Sequence, residues 1–76
     1  MSNKAYIETM LASLALPEAT EIYQSDSAGW EVSWETSLDE RDELARTVRC
    51  RFLGVRRLKV YTSQRFGRGM IYIYLD

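Results

Sequence analysis

The sequence predicts a small α+β fold, αββαββ, in which a four-stranded sheet is covered on one face by two helices. Three observations predict it. Apolar residues recur at helical spacing near the N-terminus and again in the middle of the chain, and each such stretch is followed by period-two alternation. Turn-forming residues punctuate both alternating stretches. The chain has 76 residues, 46% hydrophobic and 28% charged, a globular composition with room for a single domain over residues 1–76.

The first helix is predicted over residues 3–16. Ile7, Met10, Leu11 and Leu14 follow the i, i+3, i+4, i+7 rule, while Lys4, Glu8 and Ser13 lie largely elsewhere. Ser2 or Asn3 is placed to cap its start, and Pro17 ends it by turning Leu16 away from helical dihedrals. This N-terminal stretch could be mistaken for a leader, but Glu8, Thr9 and Ser13 break its apolar run, and it reads as an amphipathic helix.

A hairpin follows. TEIYQ alternates, and WEVSWE sets Trp30, Val32 and Trp34 on one face against Glu31, Ser33 and Glu35 on the other, with SDSAG as the turn between them. Two tryptophans at this spacing read as core.

The second helix carries the clearest signals. Ser37 and Glu40 form an S-x-x-E capping box. Asp39, Glu40, Asp42 and Glu43 crowd its N-terminal end and Arg46, Arg49 and Arg51 its C-terminal end, complementing the helix dipole. Leu44, Val48 and Phe52, with Ala45, make a buried stripe. Asp42 and Arg46 stand at i, i+4, and Gly54 is placed to supply a left-handed C′ residue.

The tail is a second hairpin, turning at about residues 66–69. Leu58, Val60 and Thr62 share one face of its first strand; Arg57, Lys59, Tyr61 and Ser63 share the other. In the last strand Ile71, Ile73 and Leu75 oppose Met70, Tyr72 and Tyr74.

The last strand is apolar or aromatic on both faces, which suits a central position better than an edge. Placing it between the strands at 56–65 and 30–36 gives the order 1-2-4-3, with strands 2 and 4 parallel. This is the order of a ferredoxin-like sheet whose first strand has moved to the C-terminus. A meander, 1-2-3-4, is the alternative. In either, both helices bury Ile22, Trp30, Val32, Trp34, Leu58, Val60, Ile71, Ile73 and Leu75, and the other face stays open.

Net charge is −1, unevenly spread: two bases face ten acids in residues 1–43, and eight bases face one acid in residues 44–76. Such asymmetry either makes a docking surface or is neutralised within the fold. The dipole of the second helix accounts for part of it. No apolar run reaches the ~18 residues of a membrane span. The single Cys50 forms no internal disulfide, and a cytoplasmic protein is expected.

The chemistry of catalysis is sparse. With no His, the usual general base, the Ser-His and Cys-His pairs and most transition-metal sites are missing. No phosphate-binding glycine pattern occurs. The carboxylates at the start of the second helix read as dipole partners, and Cys50, between two arginines, as a plain thiol. The expectation is a non-enzymatic chain with no cofactor and no metal.

The open face is where function is expected. A tyrosine ridge of Tyr61, Tyr72 and Tyr74 separates Glu31 and Glu35 from Arg57 and Lys59. Tyr and Arg are favoured at interface hot spots, and charges of both signs set register and partner choice. A two-fold operation laying the acidic flank of one copy on the basic flank of another would give a homodimer. The stretch RGMIYIYL partly resembles the RNP1 motif of RNA-recognition domains. Arg68, Gly69, Tyr72 and Ile73 match it, whereas Met70, Ile71 and Leu75 depart from it. A nucleic-acid-binding module built on the basic, tyrosine-rich hairpin is therefore the alternative, with Glu31 and Glu35 opposing a polyanion.

In size, composition and lack of catalytic groups the chain resembles the small phage-encoded inhibitors of the anti-CRISPR type. That resemblance carries no motif and assigns no residue. It implies a steric mechanism inside the host cell: binding a subunit of a CRISPR effector complex and blocking target DNA or nuclease recruitment.

Overall fold

In the computed structural model the described residues are 4–24, 29–54 and 58–75. The predicted caps Ser2 and Asn3, the first hairpin turn at 25–28 and Arg57 lie outside them.

Helix α1 (Lys4–Ser13) turns its Ile7 and Leu11 inward, with Met10 and Leu14 half-buried beside them. It stops three residues short of the predicted end, and Pro17 is not the direct cause. Ala15 adopts φ 60°, and Leu16 N–H donates to the Leu11 carbonyl at 3.1 Å while Ala15 N–H donates to that of Ala12 at 3.0 Å. This is a Schellman turn, and the buried Leu11–Leu16 pair supplies its apolar contact. An Ala stands where glycine is the usual choice, at a cost of about 1 kcal/mol.

Strands β1 (Glu21–Gln24) and β2 (Trp30–Ser37) pair antiparallel, with Ile22 opposite Val32. Helix α2 (Leu38–Phe52) starts at the residue after β2 ends. The Ser37 hydroxyl accepts from Glu40 N–H at 3.2 Å. The Glu40 carboxylate in turn accepts from the hydroxyls of Ser37 and Thr36, each at 3.1 Å, so the capping box closes through side chains. Asp42 pairs with Arg41 at 3.1 Å rather than with Arg46. At the far end Leu53 is right-handed, its N–H bonding the Cys50 carbonyl, and Gly54 is not left-handed as expected. The last turn tightens to an i→i+3 bond instead, which satisfies one end carbonyl without a glycine.

Strand β3 (Tyr61–Arg65) begins later than predicted, so Leu58 and Val60 pack half-buried against the core from the segment before it. The turn to β4 (Arg68–Leu75) occupies Phe66 and Gly67, at φ 51° and 75°. Two positive φ angles mark a type I′ turn, which matches the twist of the flanking strands.

The strand order is β1-β2-β4-β3, the permuted one, and the meander is excluded. The β2–β4 pair runs antiparallel, with Val32 opposite Ile73, correcting the parallel pairing expected from sequence. The reason lies in α2. Its 15 residues cover about 22 Å, close to the roughly 26 Å of β2. The helix therefore returns the chain to the end where β2 began, and β3 must run parallel to β2. β4 doubles back from β3 and slots between the two, antiparallel to both. The result is the split βαβ arrangement of a ferredoxin-like sheet.

Both helices pack on one face. The core joins Ile7, Leu11 and Leu16 to Ala45, Val48 and Phe52 over Ile22, Val32, Trp34, Ile71, Ile73 and Leu75. Trp30, expected inside, is half-buried at the margin. Trp34 is buried, and its indole N–H donates to the Pro17 carbonyl at 3.0 Å, tying the α1–β1 connection to the core. At Gly69 the start of α2 presses on the sheet: a Cβ there would lie 2.7 Å from Arg41 Cβ. No helix among the described residues is long and apolar enough to cross a membrane.

Candidate functional site

The alternation that sends Ile71, Ile73 and Leu75 under the helices sends Met70, Tyr72 and Tyr74 to the opposite face of β4. Tyr61 lies directly across from Tyr72, and Tyr74 from Glu31. On β1, Tyr23 lies across from Glu31. The open face thus gathers Tyr23, Tyr61, Tyr72 and Tyr74 with Glu31 at one end of the sheet. Tyr61 and Tyr74 are about half exposed and meet edge to face, centroids 5.7 Å apart at 70°. Tyr72 is half-buried between its strand neighbours.

Glu31 organises this end. The Tyr23 hydroxyl donates to Glu31 Oε1 at 2.7 Å. That hydrogen bond, reinforced by the carboxylate charge, raises the Tyr23 pKa above its ordinary 10.0. Tyr74 is raised too, first by partial burial and then by the Glu31 charge. These two phenols therefore keep their protons, and stay neutral hydrogen-bonding groups, to higher pH than usual.

The other end of the open face is ionic. Arg68 Nε bonds Glu35 Oε2 at 3.1 Å, a half-exposed pair worth at most about 1 kcal/mol. Ser33 and Met70 form the buried floor of a shallow cleft of about 290 Å³, walled by Glu21, Glu35, Arg65 and Arg68. Ser33 was expected to be exposed on this face. Tyr72 on β4 and Glu21 on β1 flank it, and a side chain so small is shielded by them.

Of the residues the sequence proposed, Tyr61, Tyr72, Tyr74, Glu31 and Glu35 share this face. Lys59 is exposed in the segment leading into β3, two residues before Tyr61, and Arg57 lies outside the described residues. The proposal omitted two residues. Tyr23 was on the correct face by alternation, but its bond to Glu31 needs the β1–β2 register, which the turn at 25–28 does not disclose. Phe66, at the hairpin tip, is 92% exposed, with the Arg65 guanidinium 5.7 Å from its ring centroid. Its only sequence signal is an aromatic residue inside a turn.

Charges of both signs stand here among the described residues, with Glu21, Glu31 and Glu35 beside Arg65 and Arg68 on the sheet and Lys59 exposed in the segment leading into β3. The arrangement holds rigid aromatics among fixed charges, as a contact surface requires. Among the described residues no three His, Cys, Asp or Glu side chains are grouped to hold a metal. The carboxylates at the start of α2 are dispersed, Glu40 to the capping hydroxyls and Asp42 to Arg41. Searches with this chain found no matching protein-family model, curated protein or solved structure.

Proposed function

We propose that this chain is a non-enzymatic protein-binding domain that acts as an inhibitor of the anti-CRISPR type. It occupies a surface on a subunit of a CRISPR effector complex and so blocks DNA binding or nuclease recruitment. The open sheet face makes the contact, with Tyr61, Tyr72 and Tyr74 as anchors and Glu31, Glu35 and Lys59 setting orientation. The observation that carries this reading is the tyrosine cluster itself. Tyr61 and Tyr74 are held edge to face on a rigid sheet yet stay about half exposed, so little entropy is lost when a partner covers them.

The charge pattern favours a folded protein over nucleic acid. Glu31 stands among the rings on which bases would stack, and Arg68 is engaged by Glu35. A phosphate backbone would meet repulsion at the first and a competitor at the second.

The test uses purified effector complexes of several CRISPR types, with DNA binding and cleavage read with and without the protein. Wild type inhibits one of them, and Tyr72→Ala with Tyr74→Ala weakens that inhibition at least about 30-fold. No inhibition across the panel removes the effector reading. A gel shift with single- and double-stranded nucleic acid, salt-sensitive and lost with Tyr72→Ala, would replace it with the nucleic-acid reading.

A further inference from the structure

The tip of the β3–β4 hairpin is kept in a costly state. The first position of a type I′ turn favours Asn or Gly, and here it holds Phe66 at φ 51°. A bulky residue held left-handed is strained, because its Cβ crowds the following carbonyl oxygen. Its ring recovers little by burial, being 92% exposed, and an exposed cation–π contact with Arg65 offsets only part of that cost. Arg65 forms no ion pair among the described residues.

A cavity of complementary character lies elsewhere on the same chain. Between the end of α1 and β1 lies a cavity of about 360 Å³ whose apolar walls come from Leu11, Leu16, Pro17 and Ile22. Glu8 and Glu18 also line it, and both are exposed. It is roomy enough for a phenyl ring and offers carboxylates to a neighbouring guanidinium.

We propose that the hairpin tip of one copy seats in this cavity of a second copy, Phe66 against the apolar walls and Arg65 toward Glu18 and Glu8. The topology lets the contact close. Thr20 N–H bonds the Ser33 carbonyl and Thr20 Oγ1 accepts from Glu35 N–H, so the cavity-forming connection runs past the Glu35 end of β2. The tip leaves the same end of the sheet, where Arg68 pairs with Ser37, but at the opposite edge. A two-fold axis through the midpoint between the tip and the cavity, perpendicular to the line joining them, brings each tip to the other copy's cavity and makes a closed dimer. This pairing uses residues apart from the tyrosine cluster and stands whether or not that cluster binds a partner.

Sedimentation equilibrium over a concentration series tests it. Wild type dimerises, and Phe66→Asn weakens the dimer at least about 30-fold. The same variant melts at a higher temperature where both proteins are monomeric, because Asn tolerates the left-handed turn. Arg65→Glu and Glu18→Arg each weaken the dimer, and the double exchange restores it, whereas Tyr72→Ala leaves it unchanged. The proposal is overturned if wild type is monomeric up to about 1 mM, if Phe66→Asn leaves the dimer intact, or if the exchanged pair fails to restore it.

Discussion

The two faces of strand β4 differ in everything except the backbone they share. On one, Ile71 and Ile73 are fully buried and Leu75 nearly so beneath the helices. On the other, one residue along, Tyr72 and Tyr74 face outward with no helix over them, and Tyr74 is 52% exposed. One strand thus holds the fold together with one set of side chains and offers a surface with the other. The lesson is separability: substitutions on the covered face should act on stability, and those on the open face should act on binding.

The hardest test of that separation is a pair of truncations at adjacent positions. Ile73→Ala leaves a cavity in the core on the helix side of the sheet and should cost about 3–4 kcal/mol, a large share of the roughly 4–11 kcal/mol available to a domain of this length. Tyr74→Ala should cost about 1 kcal/mol or less, losing mainly its edge contact with Tyr61. Urea denaturation of both variants checks this. Equal losses would mean that the open face is part of the core and cannot be read as a surface.

A smaller effect is expected at Gly69, also on the covered face, where α2 touches β4. Gly69→Ala drives a Cβ to 2.7 Å from Arg41 Cβ, between a strand and a helix that cannot both yield. The expected cost is about 1–3 kcal/mol, read as a lower urea midpoint with an unchanged slope. Smaller again is Ala15→Gly, which relieves the left-handed residue ending α1 and should gain about 0.5–1 kcal/mol. Both substitutions leave the tyrosine face untouched and should leave its binding unchanged.

How far the sequence disclosed these features depended on whether their cause is local. Alternation along β2 and β4 assigned Trp34, Ile71 and Ile73 inward and Tyr72 and Tyr74 outward, because side-chain direction in a strand is fixed by parity alone. The cap at Ser37 was legible for the same reason: the hydroxyl and its acceptor amide lie three residues apart. Strand direction was not local. The antiparallel β2–β4 pair follows from the length of α2 relative to β2, a relation between elements that periodicity does not encode. Backbone strain was the least legible. Ala15 and Phe66 take the left-handed conformation that Gly54 was expected to supply, and only the surrounding hydrogen bonds and turn geometry require it of them.

The finest comparison is within the open face, between two tyrosines raised by different causes. Tyr23 owes its raised pKa first to the hydrogen bond it donates to Glu31; Tyr74 owes its own first to partial burial, with the Glu31 charge second. Glu31→Gln removes the charge and weakens the bond, so both phenols should titrate lower, Tyr23 by more than Tyr74. Resolved carbon NMR signals of the two rings, followed through alkaline pH, measure this. The sign for stability follows from linkage. A phenol whose folded pKa lies above its unfolded value contributes stability that is complete below the unfolded pKa of about 10 and is lost as pH rises through the folded one. Alkaline destabilisation should therefore be shallower in Glu31→Gln than in wild type. A larger fall for Tyr74 than for Tyr23 would mean that the 2.7 Å bond to Glu31 is not held in solution, and with it would go the view of Glu31 as the residue that organises the tyrosine end.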